Sequence, residues 1–171
     1  MRGQRPPQPL TPFDALAMNH IAELLPEANI ALDIEATSKK RLFEQIGQLF
    51  EEHAQIARSV VFDSLFARER LGSTGLGQGI AIPHGRIKGL KHALGAFVRP
   101  QQPIPFDSPD GRPVEQVFVL LVPEQATDEH LQLLSELAEM FSEKSFRDRV
   151  AQASDASGIH QLFAGWTPQL R

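Results

Sequence analysis

The chain has 171 residues and a mass of 19.0 kDa, and 17 lysines and arginines against 21 aspartates and glutamates give it a formal net charge of −4. That size fits one domain with a real core, and a mildly acidic chain without a lysine/arginine block is a poor match to nucleic acid. No apolar stretch approaches the ~18 uncharged residues of a membrane helix, so direct membrane insertion is not expected, and the N-terminus lacks the compact apolar segment of a secretory signal. Cysteine is absent, which excludes disulfides, zinc–thiolate sites and cysteine nucleophiles. A cytoplasmic location is the expectation compatible with that.

Residues 1–17, MRGQRPPQPLTPFDALA, are rich in Pro, Gln and Arg and show neither a helical nor a strand period. They read as a tail, with the folded domain expected over 18–167 and a short C-terminal tail over 168–171. Ile30, Leu32 and Ile34 alternate along a short half-buried strand. Thr37 and Ser38 offer N-cap oxygens to a helix with Leu42, Ile46, Leu49 and Phe50 on one face. A second helix follows Ser59, carries Val61, Phe62, Leu65 and Phe66, runs into Arg68-Glu69-Arg70 and stops in the glycine cluster from Gly72 to Gly79. The chain then passes through Ile80-Ala81-Ile82-Pro83-His84-Gly85, and Leu94 to Val98 reads as another strand.

The segment 100–113, PQQPIPFDSPDGRP, has too much proline for a regular element, and Asp110-Gly111 suggests a tight turn. Val117 to Val122 is a continuous apolar run, as in a central strand covered on both faces. Thr127 is placed to cap a helix whose His130, Leu133, Leu134, Leu137, Ala138 and Phe141 share one stripe. Shorter helices around Phe146–Ala151 and Ile159–Phe163 complete the domain. Strands interleaved with helices predict an α/β fold with the sheet between helical layers.

Six histidines are present, and they are not equivalent. His20, His53, His92 and His160 sit in polar contexts typical of surface or boundary residues. His84 follows Pro83, whose ring fixes φ and favours an extended neighbour, and precedes Gly85, read here as keeping the approach to the imidazole clear. An oriented, reachable imidazole suits a nucleophile. The upstream glycines are either a flexible turn or a backbone cradle for phosphoryl oxygens. Neither the P-loop pattern nor a complete G-x-G-x-x-G is present, which speaks against ATP or NAD, and no cofactor is expected. His130 is either a polar residue at a helix start or an imidazole kept neutral there beside an anion. Arg68 is either a solvated helix-end residue or a cation able to reach an anion on His84.

The run Arg68-Glu69-x-Leu71-x-Ser73-Thr74-Gly75-Leu76-Gly77-x-Gly79-Ile80-Ala81-Ile82-Pro83-His84-Gly85 resembles the active-site signature of the mannitol/fructose-type IIA domains of the bacterial phosphotransferase system. The nitrogen-regulatory branch is the nearest match. Asp107-x-Pro109-Asp110-Gly111-x-Pro113-Val114 and Leu120-Leu121-Val122-Pro123-Glu124-x-Ala126-Thr127-x-Glu129-His130-Leu131 resemble two later blocks of the family, so the likeness runs from about Met18 to the end of the chain. It implies a mixed β-sheet flanked by helices on both faces. It also implies that His84 is the phosphorylated residue, His130 the second active-site histidine and Arg68 an arginine assisting at the phosphoryl site. The implied donor is the phosphohistidine of an HPr-like carrier, and the implied regulated targets include potassium-transport or sensor-kinase components. Such a protein is a phosphotransferase-system component without independent turnover of a small substrate.

Three other readings compete. A sugar-transport IIA would relay phosphate to a IIB domain, whereas this chain carries no IIB or IIC sequence. A histidine-based metalloenzyme fits poorly, because His84 and His92 lack an H-E-x-x-H pattern and no metal ligand set is expected. A binding module without phosphate chemistry would leave the setting of His84 a coincidence.

Overall fold

The computed structural model describes residues 20–125 and 128–168. The expected tail at 1–17, the domain start near Met18, the Thr127 cap and residues 169–171 lie outside the described residues. The described chain opens with two elements that carry no sequence signal, helix α1 (His20–Leu24) and a 3₁₀ turn (Glu27–Asn29), before strand β1 (Ile30–Ile34).

Helix α2 (Lys39–Ala54) starts where Ser38 turns extended and its hydroxyl accepts the Arg41 N–H at 3.1 Å, so Ser38 rather than Thr37 is the cap. It ends at Gln55, which adopts a left-handed φ of 56°. Helix α3 (Arg58–Glu69) is tied to α2 by Glu51, which accepts the Arg58 N–H at 3.0 Å and its Nε–H at 2.8 Å.

Three short strands follow, β2 (Gly75–Gly77), β3 (Ile80–Ala81) and β4 (His84–Ile87). The longer strands are β5 (Leu94–Pro100) and β6 (Gln116–Pro123), and helices α4 (Asp128–Ser142), α5 (Lys144–Gln152) and α6 (Ala156–Gly165) close the chain. The turn-rich segment between β5 and β6 is irregular but packed. Ile104 and Val114 are buried and form an isolated antiparallel bridge, and Gly111, at φ 74°, donates its N–H to Ser108 at 2.9 Å.

The sheet is mixed, in the order β1-β5-β6-β3-β2, with β4 also paired to β6. Strand β6 runs antiparallel to β5 on one edge. On the other it is parallel first to β3, with Ile80 opposite Gln116, and then to β4, with His84 opposite Leu120. Its alternate side chains enter two separate cores. Phe118, Leu120 and Val122 pack with Leu133, Leu137, Met140 and Phe141 of α4 and with Phe163 of α6, whereas Val117, Val119 and Leu121 pack with Leu42, Phe43 and Ile46 of α2 and Leu65 of α3. In the first core the Phe163 ring stands between 5.2 and 5.8 Å from those of Phe97, Phe118, Phe141 and Phe146. Trp166 joins this core and donates its Nε1–H to Glu143 at 3.1 Å.

Candidate functional site

The edge of β6 that carries β3 and β4 is interrupted at Ile82-Pro83. Ile82 turns its N–H to the Thr74 carbonyl at 3.0 Å, and Pro83, without an N–H to give, accepts the Leu120 N–H at 3.0 Å. His84 then resumes the pairing, so its backbone is tied on both sides of the break. Its Nδ1 lies 2.9 Å from the Ile82 carbonyl. A carbonyl can only accept, so this contact places the proton on Nδ1 and leaves the lone pair on Nε2. Burial lowers the His84 pKa below the ordinary histidine value and the Arg68 charge acts in the same direction, against the Ile82 hydrogen bond and Glu69. The ring is therefore neutral at neutral pH.

Strand alternation sends the His84 side chain toward α4 and Gly85 toward α3. A Cβ on Gly85 would overlap the Ser64 hydroxyl, which donates to the Arg86 carbonyl at 2.8 Å. This corrects the expectation that Gly85 clears the approach to the imidazole. The missing side chain lets β4 lie against α3 on the opposite face.

His130 lies in the first turn of α4, and its ring meets that of His84 edge-on, with centroids 5.4 Å apart and planes at 75°. Its Nε2 is buried and has no hydrogen-bond partner among the described residues. Burial lowers its pKa, with His84 and Arg86 adding to the effect. Arg68 occupies the last turn of α3, where its Nη1–H donates to the Gly72 carbonyl at 2.8 Å, so the guanidinium is turned onto the glycine segment. The fold thus brings His84 and His130 into contact and holds Arg68 as a neighbouring charge.

The glycine segment is an ordered turn. Gly77 and Gly79 adopt φ of 90° and 80° on either side of Gln78, whose N–H is taken by Asp110 Oδ2 at 2.8 Å. The Ser73 hydroxyl donates to the Phe106 carbonyl at 2.6 Å and accepts the Gly75 N–H at 3.0 Å. Two N–H groups that a phosphoryl cradle would draw on are therefore committed elsewhere. Leu71, Leu76 and Leu131, from the segments that carry Arg68, the glycines and His130, are 85%, 46% and 67% exposed.

Sequence reasoning passed over two charged residues here. Glu69 is buried, and its carboxylate takes Lys39 Nζ at 3.0 Å, the Thr74 N–H at 3.0 Å and the Thr74 hydroxyl at 2.6 Å. A signal was available, since Glu69 continues the buried i, i+4 stripe of Val61 and Leu65. Arg86 donates to the Glu124 carbonyl at 3.1 Å, tying β4 to the segment ahead of α4.

The remaining histidines are placed elsewhere. His53 is exposed at the end of α2, His160 Nε2 lies 3.4 Å from the Ala22 carbonyl, and His20 Nδ1 is 2.8 Å from Glu136 Oε2. His20 and the exposed His92 nonetheless share with His130 the lining of a cleft of about 640 Å³. Among the described residues no group of three or more His, Cys, Asp or Glu side chains is disposed to hold a metal ion.

The profile of the family described as phosphoenolpyruvate-dependent sugar phosphotransferase system, EIIA 2, matches residues 23–165. The nitrogen regulatory protein of Pseudomonas aeruginosa is 41% identical over 146 residues, covering 85% of this chain and 95% of that relative. The crystal structure of the nitrogen regulatory protein IIA-Ntr from Neisseria meningitidis matches with a TM-score of 0.80 and 53% identity, over 84% of this chain and 99% of the other. The IIA mannitol structure from Escherichia coli, at 22% identity, has the same fold with a TM-score of 0.67 over 81% and 97% of the two chains.

Proposed function

The chain belongs to the EIIA 2 family of the phosphoenolpyruvate-dependent sugar phosphotransferase system, is similar to its nitrogen regulatory members, and on that premise we propose that it carries a phosphoryl group on Nε2 of His84. The observation that carries the reading is the committed Nδ1: bonded to the Ile82 carbonyl, it leaves the Nε2 lone pair on a neutral ring whose direction is fixed. The donor in this reading is the phosphohistidine of an HPr-like carrier. The Nε2 lone pair attacks phosphorus in line, the new N–P bond forms as the donor's N–P bond breaks, and the donor imidazole leaves with the electron pair. With the donor ring protonated on its other nitrogen, it leaves as neutral imidazole and no proton need move. Nδ1–H stays on the Ile82 carbonyl throughout, and the positive charge passes from the donor ring to that of His84. Catalysis then reduces to positioning and charge stabilisation.

His130 is the partner for the transferring group, since its ring touches His84 and its buried Nε2 has no other hydrogen bond among the described residues. Arg68 supplies positive charge from the end of α3. The exposed Leu71, Leu76 and Leu131 suit a carrier or target with an apolar docking face. A phosphoryl group adds about −1.5 to −2 charge at the site, so targets sensitive to that charge would distinguish the two states. The family relationship favours regulation of target proteins, with potassium-transport or sensor-kinase components as candidates.

The test incubates the chain with phosphoenolpyruvate, an enzyme-I-like protein and an HPr-like carrier, and follows acid-labile addition of one phosphoryl group by mass. The wild type should be labelled, and His84→Ala should not be labelled at all. Full labelling of His84→Ala at another histidine would overturn the assignment. Rapid onward transfer to an added IIB domain, with equal binding of targets in both states, would identify a transport relay instead.

A further inference from the structure

The contacts behind His84 form a line that ends on a buried charge. His84 Nδ1 meets the Ile82 carbonyl at 2.9 Å, and the N–H of Ile82 meets the Thr74 carbonyl at 3.0 Å. Thr74, in turn, rests by both its N–H and its hydroxyl on the two oxygens of the Glu69 carboxylate. Each residue in the line is fixed by the one behind it. We propose that Glu69 is a positioning residue for phosphoryl transfer, setting the tautomer and aim of His84 through Thr74 and Ile82 without touching the reacting group.

A carboxylate taken out of water needs compensating partners, and Glu69 has a cationic one in Lys39, whose Nζ lies 3.0 Å from it. Lys39 is itself placed by the Phe106 ring, with Nζ 4.5 Å from the ring centroid, and by Asp107 at 3.9 Å. The carboxylate therefore draws together the start of α2, the end of α3 and the glycine segment. A charge-assisted acceptor is stronger than a neutral one, which suits a residue that must hold both donors of Thr74 at once. Arg68 precedes Glu69 in the chain, so the anchor also sets the point from which Arg68 reaches Gly72. The chemistry asks for this rigidity, since a displacement of about 1 Å at the reacting atom can cost on the order of 100-fold in rate.

The inference rests on His84 as the acceptor, so the experiment includes a readout that needs no donor. Glu69→Ala and Glu69→Gln are compared with the wild type by nitrogen NMR of the His84 ring and by the rate of phosphoryl acceptance. The wild-type ring should be protonated on Nδ1. Both variants should shift protons toward Nε2, with acceptance slowed about 100-fold in Glu69→Ala and about 10-fold in Glu69→Gln. If alanine does not fold, Glu69→Gln, which keeps the side-chain volume, decides alone. An unchanged tautomer and wild-type acceptance, with only the melting temperature lowered, would make Glu69 a purely structural residue and overturn the proposal. A wild-type chain that takes no phosphoryl group, yet shows the tautomer shift in the variants, would sink the acceptor assignment and leave standing only the control of the His84 ring by Glu69.

Discussion

His84 and His130 touch ring to edge, but the chain seats them by opposite means. His84 sits in a broken strand whose backbone is paired on both sides of Pro83, and one of its ring nitrogens is already committed to Ile82. His130 sits in the first turn of a helix, and its buried Nε2 has no partner among the described residues. A group that forms and breaks a covalent bond benefits from one fixed direction. A group that only steadies passing charge benefits from an unspent nitrogen, whose partner arrives with the substrate. The two seats therefore imply different sensitivities to substitution.

The widest separation should come from removing each ring. His84→Ala loses acceptance completely, whereas His130→Ala should fold and still be labelled at His84, about 10–1000-fold more slowly, in a timed labelling assay. Wild-type rates in His130→Ala would reduce His130 to a polar residue at a helix start.

Acid should act on the two seats together. Burial lowers both pKa values below the ordinary 6.5, so both rings stay neutral where a free histidine is half protonated. Acceptance measured against pH should stay level as pH falls through 6.5 and decline only at the lower folded values. Stability follows the same sign. The unfolded chain binds protons near 6.5 that the folded chain refuses, so stability is full above 6.5 and is lost as pH falls from there toward the folded values. Denaturant titrations at stepped pH would show that slope, and its absence in His84→Ala with His130→Ala combined would assign it to the pair.

Arg68 should give the smallest effect, since it faces Gly72 and lies partly in solvent. Arg68→Ala should slow acceptance less than His130→Ala does, and the gap from the wild type should narrow as salt screens the charge. A gap independent of salt would point instead to the Gly72 contact and the shape of the glycine turn.

The sequence made His84 visible because Pro and His adjoin and constrain one another locally. It showed β6 and α4 for a related reason, since a doubly buried strand and a one-sided helix each leave a short-range pattern. What it hid lies in contacts between distant segments. Gly85 answers to Ser64 on α3, and Gly75 to Ser108 in the loop before β6, and no local spacing announces either approach. Glu69 was half-hidden: its place on the Val61–Leu65 stripe was legible, but its partners Lys39 and Thr74 come from different elements. Helix α1 is five residues long, too short to leave a periodic trace.

Trp166 has an optical consequence. The chain has one tryptophan and no tyrosine, so its near-ultraviolet fluorescence comes almost entirely from an indole anchored to Glu143 and buried in the core that α4, α5 and α6 share. The hydrogen bond that seats the His84 imidazole is made to Ile82 and does not involve that indole. The emission of this chain is therefore a native gauge of whether the helical layer is intact, and it separates a variant that has lost its shape from one that has lost only its chemistry.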